Sequence, residues 1–172
     1  MNQRVSDALL GAVAGVIGAS GMTVLRMVAH RAGLIDQMVP QAVEQSLERR
    51  AGERPPGGTG GARVLDQALH LGYGLAMGAL YGAVVDPPRR RHKRSTRALG
   101  YGVAQWAFGS MVLLPGLGIA RPAWRKGARE NAVDLAAHLA YAGITAFVAG
   151  QFAEQAEESP RAGHKASPAR VG

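Results

Sequence analysis

The sequence predicts an all-α integral membrane protein with four transmembrane helices, built as two repeated helical hairpins. Three observations predict it. First, four apolar runs interrupt a polar chain. Ala8–Leu25 and Ala98–Ala120 carry no charge, Ala68–Val85 has His70 as its one ionisable group besides tyrosine, and Leu135–Phe152 has only His138 and Tyr141. Each run is near the length that crosses about 30 Å of hydrocarbon at about 1.5 Å per residue. Second, the net charge of +8 is concentrated between the runs rather than spread along the chain. Third, residues 66–82 and 134–150 are identical at 6 of 17 positions, with Asp66 on Asp134, His70 on His138, Tyr73 on Tyr141 and Gly82 on Gly150. One apolar run suits the core of a soluble protein, but four in 172 residues leave too little polar surface for one.

The first span is expected at about residues 8–28. Small residues at Ala19–Gly21 resemble a signal-cleavage site, yet Met22–Val28 continues the apolar pattern. The run therefore reads as an uncleaved span, with Arg26 snorkelling towards the interface. In the first connection, Val39, Val43 and Leu47 follow Asp36 and Pro40 at helical spacing, which predicts a short amphipathic surface helix. The stretch ERPPGGTGG, 53–61, reads as a linker.

The second span is expected at about 66–86. At 100° per residue, Asp66, His70, Tyr73, Met77 and Tyr81 share one face, beside a ridge of Gly74, Gly78 and Gly82. Tyr81 lies near the far interface, where an aromatic belt is expected. The short second connection carries Arg89, Arg90, Arg91, Lys93, Arg94 and Arg97. That density places this loop and both termini on the cytoplasmic side. It also offers anionic lipid headgroups a contact through Arg89, Arg90, Arg91, Lys93 and Arg94.

The third span, about 98–120, holds Gln105 and Trp106, read as packing plus one interhelical hydrogen bond, and Pro115, read as a kink or an end. The fourth, about 132–152, repeats the pattern of the second. Asn131, Asp134, His138, Tyr141 and Thr145 share a face, beside the ridge Ala142, Ala146 and Gly150. A repeated hairpin makes spans two and four cross in the same direction, which puts the two Asp–His pairs at similar depth. Residues 153–172 read as a disordered polar tail. The ridges are packing devices, since small residues four apart let membrane helices approach closely.

The chain has no cysteine, which excludes disulfides, thiolate metal sites and cysteine nucleophiles. It has no HExxH, no serine-nucleophile motif and no phosphate-cradling glycine loop ending in lysine, so a non-enzymatic role is expected. Nucleic acid is not an expected partner, because the basic residues lie between membrane spans. The expected partners are the bilayer and its anionic lipids, and through the glycine ridges a second copy or a larger membrane complex.

Three readings compete for the polar cluster of Asp66, His70, Tyr73, Asp134, His138 and Tyr141. In the first, the two aspartates cap helix starts, and each histidine bonds its own aspartate or a carbonyl across an interface. In the second, the cluster is a proton or ion pathway, histidine being the side chain that titrates near neutrality. In the third, the histidines and carboxylates hold a divalent metal, or the two histidines hold a haem, with His30 a further candidate member of the cluster. The motifs themselves, Asp66-x3-His70-x2-Tyr73-Gly74 with Gly78 and Tyr81-Gly82, Trp106 with Leu114-Pro115-x2-Gly118, and His138-Leu139-Ala140-Tyr141, resemble the YagU-like group of small bacterial inner-membrane proteins. The resemblance spans about residues 5–152, with Ala142 where the first copy has glycine after tyrosine. It implies a polytopic inner-membrane protein with a link to stress or acid tolerance, and it brings no catalytic residues.

Overall fold

A computed structural model describes residues 3–35, 58–85 and 93–164, without the side chains of residues 58, 59, 62, 63, 66 and 156–164. Helix α1 spans Gln3–Arg31. Helix α2 spans Gly58–Leu80 and continues through a π-helical turn, Tyr81–Val85. Helix α3 spans Arg94–Ala107 and continues through a π-helical segment, Phe108–Leu113, and an α turn, Leu114–Gly116. A 3-10 turn at Ala123–Arg125 leads into α4, Ala128–His164. No strand occurs among the described residues.

Three stretches are long and apolar enough to cross a membrane: Gln3–Arg31, Gln67–Val85 and Ala128–Gln155. The predicted third span differs, because α3 is broken by its π segment. Pro115 offers no N–H and its ring crowds the carbonyl one turn back, so widening the helix just before it relieves the clash. The helix then ends at Gly118, which has φ +64°. Ile119 N–H donates to Leu114 O at 2.9 Å and Gly118 N–H to Pro115 O at 2.9 Å. Helix α1 ends in the same way at Gly33, φ +68°, with Leu34 N–H on Ala29 O at 2.9 Å. Both are glycine-centred caps that satisfy carbonyls a helix end leaves open.

Helix α1 packs antiparallel against both α2 and α4. Along α2, the ridge Gly11, Gly15, Ala19 meets Gly82, Gly78, Gly74 almost backbone to backbone. A methyl group at Gly78 would come within 2.6 Å of Gly15 Cα, and one at Gly82 within 3.0 Å of Gly11 Cα. Along α4, Gly18 lies against Tyr141 and Thr145, and Gly21 against Ile144. Helix α3 lies on α4, where Gly102 backs onto the His138 carbonyl. The core so formed is small residues plus tyrosine: Ala19, Ala98, Ala137, Ala142 and Ala146 around Tyr81, Tyr101 and Tyr141. The large aliphatics point outward instead, as with Leu9, Val13, Val24 and Val28 on α1. An apolar outside over a polar, small-residue inside suits hydrocarbon as the solvent.

Several expectations change. The tail does not begin at residue 153, since α4 runs to His164. Ala153–Glu158 are strong helix formers that prolong a helix already nucleated. Helix α2 starts at Gly58, inside the expected linker. Tyr81 is fully buried rather than in an interfacial belt, because its helix face, shared with His70 and Tyr73, points into the bundle. The amphipathic helix near residues 36–50 and the cations Arg89, Arg90 and Arg91 lie outside the described residues.

Candidate functional site

The site begins in the second turn of α4. Asp134 is 3% exposed, and two cations hold its carboxylate. Arg26 Nη2, from α1, pairs with Oδ1, and Lys126 Nζ donates to Oδ2 at 2.8 Å. Arg26 therefore does not snorkel. At its level the antiparallel α4 presents a carboxylate, and pairing inside the bundle replaces the walk to the interface. Lys126 also lies 3.5 Å from Glu130. Asn131 Nδ2 donates to Ala123 O at 2.7 Å and pins the 3-10 turn beside this network.

One turn further, His138 Nδ1 donates to the main-chain carbonyl of Asp134 at 2.7 Å. This bond requires a proton on Nδ1, and Nε2 is left with Gly109 of the α3 π segment beside it. His70 Nε2 donates across the α1–α2 contact to Ala19 O at 3.3 Å. Close packing of Gly74 on Ala19 brings that carbonyl into reach. His30 does not join the cluster, since its Nδ1 donates to Ile35 O at 3.0 Å and closes the α1 cap.

The four tyrosines gather on α2, α3 and α4. Tyr141 donates its hydroxyl to Gly74 O at 2.8 Å, and Tyr101 to Met77 O at 2.7 Å. The Tyr81 and Tyr101 rings sit 5.2 Å apart at 54°. Four buried polar atoms form no well-aligned hydrogen bond, Tyr73 Oη, Gln105 Oε1, Trp106 Nε1 and Thr145 Oγ1, although Gln105 reaches towards Tyr73 and Tyr141, and Thr145 towards Tyr141. Gln105 thus makes, between helices, the contact the sequence suggests. Such groups cost several kcal/mol each in a dry interior, so they mark a place where water or a transferred proton is favoured. Two π-helical segments lie close by in sequence, Tyr81–Val85 on α2 and Phe108–Leu113 just after Trp106.

The cluster read from the sequence is thus partly assembled. His70, Tyr73, His138 and Tyr141 share the interior, and the Asp66 side chain lies outside the described residues. Asp134 belongs to an ion network with Arg26 and Lys126, not to an Asp–His carboxylate pair. With both of its oxygens engaged by cations, Asp134 does not fit a metal-ligand role, and each histidine has one ring nitrogen left. Among the described residues, no three His, Asp or Glu side chains converge as metal ligands would. Gly74, Gly78 and Gly82 meet α1, Ala142 meets Gly102, Ala146 is buried, and Gly150 lies under the Arg94 guanidinium. Lys93 and Arg94 start α3.

Sequence reasoning missed Lys126 and Tyr101 as members of the interior. Arg26 had a visible signal, a lone charge inside an apolar run, whereas Lys126 sits in a loop with no distinguishing pattern. The chain matches no described protein family, no curated protein and no solved structure.

Proposed function

We propose that this chain is a small non-enzymatic module of the bacterial inner membrane that moves protons along its interior polar line, with His138 and Tyr73 at the centre. In this reading four spans form two repeated hairpins, α3 with its π segment being the third. Both termini and the basic second connection face the cytoplasm. The YagU-like resemblance, with its link to acid tolerance, points the same way.

One observation carries the reading. Tyr73 Oη, Gln105 Oε1, Trp106 Nε1 and Thr145 Oγ1 are buried without a well-aligned hydrogen bond, with Gln105 reaching towards Tyr73 and Tyr141, in a bundle that also holds His138. A purely structural core would close each of these bonds with good geometry, since satisfied polar networks cost least. A line of hydroxyls, amide and imidazole with spare capacity can pass protons by exchanging hydrogen bonds.

The test is proton uptake by liposomes containing the purified protein, with a pH-sensitive dye trapped inside and a potassium diffusion potential applied. Uptake well above protein-free liposomes is expected, falling at least tenfold in His138→Gln and in Tyr73→Phe. Uptake no faster than in empty liposomes, or equal in both variants, refutes it.

A further inference from the structure

On the outer face of the α3–α4 pair lies a groove of about 330 Å³. Leu99, Gly143 and Phe147 form its apolar walls, and Arg94, Ser95 and Gln151 its polar end. Leu99 and Phe147 are 55% and 66% exposed, so the walls face whatever surrounds the bundle. A methyl group at Gly143 would meet nothing within 4 Å, which makes this glycine an open floor rather than a packing contact. From Gly143 to Gln151 the groove follows two turns of α4, about 12 Å at 1.5 Å per residue.

The polar end is held in place. The Arg94 guanidinium lies across α4 over Gly150, where a methyl group would come within 2.9 Å of its Cζ. Only a residue without Cβ lets the arginine lie there. Lys93 precedes it, Arg97 follows one turn later, and Arg89, Arg90 and Arg91 come just before in sequence. The cation is therefore fixed at the polar end of an apolar groove that runs along α4 from Gln151 to Gly143.

We infer that this groove binds one anionic phospholipid of the surrounding bilayer, its phosphate at Arg94 and Ser95 and an acyl chain along Leu99, Gly143 and Phe147. Charge complementarity selects this occupant. A guanidinium and a hydroxyl suit a phosphate, and the walls suit an alkyl chain that free phosphate lacks. A second copy of the chain fits less well. Two copies in one membrane share an orientation, so the partner would bring its own basic loop to the same depth. The inference needs the membrane placement proposed above but not the proton reading, and lipid retention is measured without any flux.

The experiment is native mass spectrometry of the full chain in detergent, titrated with phosphatidylglycerol or with phosphatidylethanolamine of matched acyl chains. One tightly retained phosphatidylglycerol is expected, at least fivefold preferred over the zwitterionic lipid. Arg94→Gln should reduce that preference to near parity. Gly143→Trp and, separately, Leu99→Trp fill the groove without touching a charge. Each should cut phosphatidylglycerol retention at least fivefold while the melting temperature stays within a few degrees of the parent. Equal retention of the two lipids overturns the inference. So does retention indifferent to both tryptophan variants, which would reduce the effect to general attraction by the basic loop. A dimer that either tryptophan variant disrupts, with no lipid retained, would assign the face to a second copy instead.

Discussion

Removing the Asp134 carboxylate would leave Arg26 without its counter-charge in a bundle interior, and Lys126 with Glu130 alone at 3.5 Å. Asp134→Ala is therefore expected to cost about 3–5 kcal/mol, the usual loss when one partner of a buried pair is removed. The check is thermal melting in detergent, where the Arg26→Met/Asp134→Leu double variant should recover most of the loss by removing the buried pair together and leaving Lys126 to Glu130. The tyrosines separate structure from transport. Tyr141→Phe deletes the bond to Gly74 O and should cost about 1 kcal/mol. Tyr73→Phe removes a hydroxyl held only by a poorly aligned contact with Gln105, so its melting temperature should move less than that of Tyr141→Phe while proton uptake falls. The sequence placed His70, Tyr73, His138 and Tyr141 on facing stripes, because helical period alone fixes which residues share a face. It could not name their partners. His138 bonds a main-chain carbonyl, and Asp134 finds a guanidinium 108 residues away. Neither leaves a local pattern.

At the scale of elements, the α1–α2 contact is set by glycines with no room for a side chain. Gly15→Val and Gly78→Val should each force the helices apart and destabilise the protein by more than about 2 kcal/mol, at the upper end of ordinary overpacking, because backbone rather than a mobile side chain must give way. Gly143→Ala, in open space, is the matched control and should leave melting unchanged. The ridges were legible in the sequence, since small residues four apart have few other uses in an apolar run. The break in α3 was half legible. Pro115 announced an end, but the widened turn before it depends on how helix strain relaxes, which composition does not encode. The extent of α4 was misread because polar residues suggested a tail, although Ala, Glu and Gln there favour helix as strongly as they favour water.

For the whole molecule, the absence of cysteine makes topology directly measurable, since any introduced thiol is the only one present. With a membrane-impermeant maleimide on intact cells, Trp124→Cys should label and Lys93→Cys should label only after permeabilisation. Labelling of both from outside would refute the proposed alternation of spans. The Arg26–Asp134 pair bears on how the molecule is made. Its partners stand at opposite ends of the bundle's sequence, 108 residues apart. At about 5–20 residues per second of synthesis, Arg26 waits about 5–20 s in the membrane before Asp134 exists. During that interval the nascent first helix carries an uncompensated charge, an opening for the membrane's quality-control proteases or for a chaperone that shields it. Ribosome stalling after residue 127 should therefore yield a short-lived fragment, and its lifetime should lengthen when α4 is supplied as a separate chain.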